Sequence, residues 1–292
     1  MRVLVFGTTG QVARELARSA ARRGVAVRAL GRGDADLADP AACARAVRAT
    51  EADLVINAAA YTAVDAAEDD AATASAVNGA APGAMAAAAA ARGLPLLHVS
   101  TDYVLDGSDP GRPWREDDPV GPLSVYGASK LAGERAVAAA TPDHAILRTA
   151  WVFSAHGRNF VKTILAAGRG RPEMRIVGDQ RGGPTAAADI AAALWTIAEA
   201  WSAGRGRPGI FNFAGRPETT WAGLAEAIFA GAGWPERPRV APIATADWPT
   251  RAVRPAYSVL DCARIAAAYG IAQPDWRPAL AAVIDELAEV KA

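Results

Sequence analysis

Residues 1–20, MRVLVFGTTGQVARELARSA, decide the architecture. The run RVLVF is unbroken apolar sequence rich in valine, the pattern of a strand buried on both faces of a parallel sheet. Gly7, Gly10 and Ala13 follow at G-x-x-G-x-x-A spacing, and an amphipathic helix starts at once. Glycines there let the backbone turn tightly and approach a pyrophosphate. The start of the helix offers that anion unpaired N–H groups and a partial positive charge. A tight turn without a ligand is the plainer reading. Position favours a ligand, because the turn leaves a buried strand and opens a helix.

The same alternation continues outward from this stretch. VAVRAL (25–30), DLVINAA (53–59), LPLLHVST (94–101) and HAILRTAWVF (144–153) read as strands. PAACARAVRAT, the alanine-rich APGAMAAAAAARG ended by Gly93, and VYGASKLAGERAVAAA read as the helices between them. Strands alternating with helices predict a doubly wound parallel α/β sheet. After Phe153 the alternation loosens into loop-rich GRGRPEM and RGRPG. A helix capped by Thr219 and Thr220 follows, then a proline-rich tail. The expected division is a dinucleotide-binding domain at 1–153 and a smaller domain at 154–292, partly interwoven with the first.

Composition narrows the function. Lysine plus arginine and aspartate plus glutamate both number 31 in 292 residues, so the formal net charge is zero. A general nucleic-acid binder would carry a basic excess. No apolar run is long enough to span a bilayer, and the N-terminal stretch lacks the pattern of a secretory leader. Cys43 and Cys262 lie far apart in sequence and suit neither a disulfide framework nor a metal site. His98, His144 and His156 do not cluster. A cytoplasmic enzyme without a histidine metal site is expected. Among the basic residues only Lys130, Lys162 and Lys291 are lysines. A lysine kept in so arginine-biased a chain hints that arginine would not serve, since the two differ in geometry and in readiness to share a proton.

Tyr126 precedes Lys130 by four positions, which puts both on one face of a helix. Alone the spacing is common on helix surfaces. Here the preceding strand ends in Ser100 and Thr101, and ligands of open α/β sheets lie beyond those strand ends. Reducing a carbonyl requires a proton as well as a hydride. A tyrosine hydroxyl can give that proton, although its ordinary pKa is about 10. A neighbouring ammonium is expected to lower it, bringing the acid nearer working pH. The threonine hydroxyl can align the substrate oxygen. Thr101, Tyr126 and Lys130 are thus the expected catalytic set, with Lys130 also placed to hold the cofactor ribose.

The end of the second strand bears on the cofactor. An NAD site usually places an acid there, on the ribose hydroxyls. Here ALGRGDAD brings Arg32 nearest that place, with Arg14 at the start of the first helix, and either suits a 2′-phosphate. NADPH is favoured, with NADH open if Asp34 or Asp36 marks a later strand end. Small residues in NAAAY (57–61) let the ribose pass close to the backbone.

GTTGQVA, NAAAYTAVDAAE, VSTDYVLDG, PLSVYGASKLAGE, ILRTAWVFS, NFVKTIL and RPAYSVL occur in an order that resembles the dTDP-4-dehydrorhamnose reductases of the extended short-chain dehydrogenase/reductase superfamily. The resemblance runs over nearly the whole chain. It implies a Rossmann-type sheet with a smaller C-terminal substrate-binding domain, and reduction of a nucleotide-sugar C4 ketone with NADPH or NADH. It places Gly7, Gly10, Gln11, Val12, Asp36, Leu37, Ala59, Ala60, Tyr61, Thr62 and Val99 on the cofactor, with Tyr126 and Lys130. It places Val64, Thr101, Asp102, Tyr103, Trp151 and Arg254 on the sugar nucleotide. Tyr61 departs from a histidine found in some members. Trp151 could equally be core, Asp102 a turn cap, and Asn159 with Phe160 plain packing. Some members use magnesium at a subunit contact, for which Glu15 is the matching acid here, and a homodimer would follow.

Two rivals stand beside this reading. A nucleotide-sugar 4,6-dehydratase would carry Asp-Glu after the threonine, whereas Tyr103 follows Asp102 here; an epimerase is less firmly excluded. A non-catalytic NADP-binding regulatory subunit would be expected to lose part of the tyrosine–lysine set, which this chain keeps.

Overall fold

The computed structural model describes residues 1–289. Strands β1 (Arg2–Phe6), β2 (Ala26–Leu30), β3 (Leu54–Asn57), β4 (Leu96–Thr101) and β5 (His144–Thr149) alternate with helices α1 (Gln11–Ala20), α2 (Pro40–Arg48), α3 (Val64–Ala67), α4 (Ala71–Ser75), α5 (Ala81–Ala90) and α6 (Val125–Ala140). Next come β6 (Val152–Phe153), α7 (Phe160–Gly168), β7 (Glu173–Val177), β8 (Arg181–Gly182), β9 (Thr185–Ala186) and α8 (Ala187–Ser202). The rest is β10 (Gly209–Asn212), β11 (Thr219–Thr220), α9 (Trp221–Gly231), β12 (Arg239–Ile243), α10 (Ala263–Tyr269) and α11 (Trp276–Glu289).

Six parallel strands form the central sheet in the order β10-β5-β4-β3-β1-β2. Successive residues of β1 feed opposite cores, as the pleat requires. Val3 and Val5 meet α1 and α8, while Leu4 and Phe6 meet α2 and α5. That double burial is why β1 reads as continuous apolar sequence. The strand order reverses between β1 and β3, which opens a crevice beyond their carboxyl ends. A separate core joins α7, α9 and α11 around Phe153, Ile164, Ile228 and Leu280.

Three differences from the sequence reading stand out. The expected strand at 144–153 is two. After Thr149 the chain leaves the sheet, Trp151 adopts φ 47°, and β6 pairs instead with β9. The indole is fixed from outside: it stacks on Trp221 with centroids 3.6 Å apart, and Gly182 leaves it room. The alanine-rich helix begins earlier, because α4 runs into α5 through a π turn at Ala76–Ala80. Finally, residues beyond 153 return to the sheet. Strand β10 pairs with β5, and α8 packs on α1. Among the described residues no helix is long and apolar enough to cross a membrane.

Candidate active site

The crevice is floored by backbone. Gly7 adopts φ 119°, outside the range L-residues favour, and a Cβ there would sit 3.1 Å from the Ala13 methyl and 3.4 Å from the Ala58 carbonyl oxygen. So the glycine serves the turn, the small residue at 13 serves helix–strand packing, and both β1 and β3 close on the same spot. Gly10 stands at the N-cap of α1, which has no side-chain cap and no acid in its first turn. Its leading N–H groups are left for an anion, so the residues fit the pyrophosphate of a dinucleotide.

Gln11 does more than line the turn. Its side-chain oxygen accepts from Ser154 Oγ (2.8 Å) and Asn159 Nδ2 (3.0 Å), and its Nε2 donates to the Val152 carbonyl (3.4 Å). The turn is thereby stitched to the segment that follows the sheet. Asn159 also caps α7 through the Lys162 N–H. Ala59 and Ala60 lie partly open beyond β3, with Thr62 exposed. The Asn78 side chain holds Tyr61 by accepting from its N–H (2.8 Å) and donating to its carbonyl (3.0 Å). At the far end of the crevice Arg32 is exposed and only 4.0 Å from Asp36. Asp36 and Leu37 are half-buried, and Asp34 accepts from the Gly31 N–H. Arg14 is exposed on α1.

The expected catalytic tyrosine and lysine stand on α6. Ser124 caps the helix by accepting from the Gly127 N–H, and Tyr126, Ser129, Lys130, Gly133 and Glu134 form its inward face. Glycines bring that face close. A Cβ at Gly127 would stand 2.2 Å from the Tyr103 carbonyl oxygen, and one at Gly133 2.1 Å from that of Asn78. Tyr126 is buried beside Thr101, with the Tyr103 ring edge-on at 5.5 Å. Tyr61, Val64 and Tyr103 pack in the same small cluster. Thr101 donates to Asp102 Oδ1 (3.0 Å), while Asp102 Oδ2 is buried without a partner. Burial pushes Asp102 up to about 6.

The electrostatics differ from expectation. Burial pushes the Tyr126 phenol up to about 12, against the opposing effect of Thr101. Lys130 does not counter this. Its Nζ donates to the Val99 carbonyl at 2.6 Å and meets His98 Nε2 at 3.4 Å. Burial pushes Lys130 itself down to about 8, although Glu134 one turn away pulls it up. Glu134 is clamped by Arg148 (2.7 and 2.9 Å) and by Ser100 Oγ (2.6 Å). The phenol therefore keeps its proton at neutral pH.

Arg254 reaches the same pocket from the C-terminal region, but its guanidinium is engaged. Nη1 and Nη2 donate to the two oxygens of Asp65 at 3.1 and 2.7 Å. Arg251 pairs with Asp69 alongside. Trp151 is half-buried in its stack with Trp221, with Phe160 tilted against the latter. Glu15 is buried on α1, with Arg18 2.9 Å from its carboxylate and His156 3.3 Å. Among the described residues no group of His, Cys, Asp and Glu is arranged to hold a metal ion.

Asn57, His98, Ser100, Glu134 and Arg148 were not singled out as parts of this site from sequence, apart from Ser100 as a strand-end hydroxyl. The available signal was a polar residue interrupting an apolar strand, as in LVIN and LLHVS.

Comparison with known proteins agrees with this geometry. The family model for the RmlD substrate binding domain matches residues 1–289. A dTDP-4-dehydrorhamnose reductase of Burkholderia thailandensis is 45% identical over 299 aligned positions, covering 98% of this chain and 99% of the relative. The crystal structure of a dTDP-4-dehydrorhamnose reductase from Clostridium acetobutylicum superposes with TM-score 0.91 at 34% identity, covering 99% of this chain and all of that one. One from Bacillus anthracis, in complex with NADP, gives TM-score 0.90 at 29% identity over 98% of this chain and 99% of that one. A match that runs end to end in sequence and in space, over a fold whose crevice joins a glycine turn to a buried tyrosine and lysine, makes this chain a member of the dTDP-4-dehydrorhamnose reductase family.

Proposed function

We propose that this chain reduces the C4 keto group of dTDP-4-dehydro-L-rhamnose to give dTDP-L-rhamnose, with NADPH preferred over NADH. The observation that carries the reading is the burial of Tyr126, Thr101 and Lys130 together at the carboxyl end of β4, two strands from β1 and its glycine turn. Relatives of matching length bear that activity in their names, and one bound NADP in the crystal.

The nicotinamide, when bound, supplies hydride to the carbonyl carbon. Tyr126 gives its hydroxyl proton to the carbonyl oxygen, and burial keeps that proton in place until charge develops there. Thr101 gives its one hydrogen to Asp102 in the structure and turns it to the same oxygen when the ketone is bound, orienting it. Lys130 stands one helical turn on, with a proton it can give up more readily than an exposed lysine. Gly10, Gln11 and Val12 meet the pyrophosphate, Asp36 and Leu37 the adenine side, and Arg32 a 2′-phosphate. Ala59, Ala60, Tyr61, Thr62 and Val99 line the ribose and nicotinamide. Val64, Asp102, Tyr103, Trp151 and Arg254 face the sugar nucleotide. Residues 1–153, completed by α8 and β10, hold the cofactor, and 154–292 supply most of the substrate side. A homodimer belongs to the same reading, and sedimentation of the purified chain reads it directly.

The test is to follow the reduced-nicotinamide absorbance with dTDP-4-dehydro-L-rhamnose and each cofactor. One cofactor oxidised per sugar reduced is expected. Conversion of the sugar without net cofactor consumption would indicate an epimerase or dehydratase, and tight NADPH binding with no conversion a regulatory subunit.

A further inference from the structure

Behind the phenol a file of buried polar groups runs into the sheet. Lys130 Nζ meets His98 Nε2 at 3.4 Å, His98 Nδ1 meets Asn57 Nδ2 at 3.1 Å, and Asn57 Oδ1 accepts from the Ala59 N–H at 3.1 Å. Asn57 and His98 are 0% exposed and Lys130 1%. Nothing in the proposed mechanism uses the first two.

Elementary donor counting fixes the protons. The Ala59 N–H can only donate, so the oxygen of Asn57 faces it and the amide nitrogen faces His98. The imidazole must accept at Nδ1, and a neutral ring then carries its hydrogen on Nε2. Burial, with the Lys130 charge second, holds His98 well below its usual pKa and hence neutral. Its Nε2–H therefore points at the lysine nitrogen. An ammonium has three hydrogens and no lone pair to receive it. An amine has one, and can still donate to the Val99 carbonyl.

The other charged groups near this contact do not cancel it. Glu134, on the same helix, favours the ammonium, but Arg148 of β5 and Ser100 share its carboxylate. Asp102 lies against Thr101 and Tyr126. Strand β3 contributes the uncharged Asn57, and α5 has no ionisable residue.

We propose that His98 is a positioning residue for Lys130: the tautomer that Asn57 imposes turns an N–H on the lysine nitrogen, so that this side chain exchanges its proton within the working pH range instead of remaining a fixed ammonium. The kinetic part of the test rests on the reductase reading; the spectroscopic part does not.

The first measurement is nitrogen-15 NMR of the free protein labelled at histidine. The chain has 3 histidines, and His98 is assigned from its absence in His98→Gln. The expected spectrum shows the Nε2–H tautomer, with a pH inflection that disappears in Lys130→Met. An Nδ1–H tautomer in the unmodified protein would overturn the proposal without any variant having to fold. The second measurement uses Asn57→Asp. A carboxylate accepts from both the Ala59 N–H and Nδ1–H, so it reverses the tautomer and offers the ammonium a lone pair. The inflection should rise by about 1 pH unit or more, and the basic limb of kcat should rise with it. Inverted nitrogens with an unmoved inflection would refute the coupling. If the inflection moves but dTDP-4-dehydro-L-rhamnose is not reduced, the reductase reading fails and the assignment of His98 stands.

Discussion

The glycine turn and the phenol pocket share one crevice but are built from different material. The turn works with backbone: free N–H groups at Gly10–Val12, a positive φ at Gly7, and no buried charge within the turn. The pocket works with side chains taken out of water, including Lys130, Asp102 and His98, each no more than 2% exposed. Backbone dipoles are already oriented by the fold and cost little to present. Burying an ionisable group disfavours its charged form and draws on the stability of the whole chain. One region should therefore be sensitive to shape, and the other to protonation.

The largest expected effect tests that contrast at its centre. Tyr126→Phe should lower kcat by about 10³-fold, within the usual range for losing a general acid. Cofactor affinity, read by fluorescence titration, should stay near that of the parent. A matching loss of affinity would show that the two regions are not separable.

Lys130→Met probes stored cost. In the fold Lys130 is pushed down to about 8 from 10.5. Between those values the unfolded chain binds more protons, so the parent gains stability as pH rises through that window. The methionine variant, although nearly inactive, should be more stable at pH 7 by about 1–3 kcal/mol. That advantage should disappear by about pH 10.5. Urea unfolding at pH 7 and pH 10 measures it. A variant less stable at both would mean that the bond to Val99 outweighs burial.

Gly7→Ala asks the same of the turn. The strained φ and the contact with Ala13 should cost about 1–3 kcal/mol, divided between folding and cofactor affinity. This loss should be independent of pH from 6 to 9, in contrast with Lys130→Met. Arg32→Ala should have the smallest effect. An exposed guanidinium meeting a phosphate contributes about 1 kcal/mol, so affinity for NADPH should fall about fivefold while NADH is unchanged. Equal losses for both would remove Arg32 as the discriminating residue.

How much could be read in advance follows the same contrast. Gly7, Gly10 and Ala13 declare themselves because strand, turn and helix are contiguous, and β1 announces its double burial in five residues. Tyr126 and Lys130 declare their spacing, but not what surrounds them. The phenol was expected to be lowered by lysine and is raised by burial, since Lys130 turns towards Val99 and His98. That choice depends on β4 and β3 lying side by side, which no local pattern encodes. The bend at Trp151 is hidden from the sequence for a related reason. Its ring is held by Trp221, seventy positions later, and by the absence of a side chain at Gly182. The resemblance places Arg254 on the sugar nucleotide; its tie to Asp65 is a long-range pairing that the RPAYS motif cannot display.

The placement of β10 has a consequence for biogenesis. By the time Phe153 has left the ribosome, every residue of the proposed catalytic set has been made, yet β5 still presents a bare hydrogen-bonding edge and the α1 face of the sheet lacks α8. An unpaired parallel edge beside uncovered apolar surface invites association with other nascent chains. The catalytic half is thus synthesised first but cannot finish folding until residue 212 emerges. Ribosome stalling between these two points, more than at either end of the message, should expose the chain to chaperones and to aggregation.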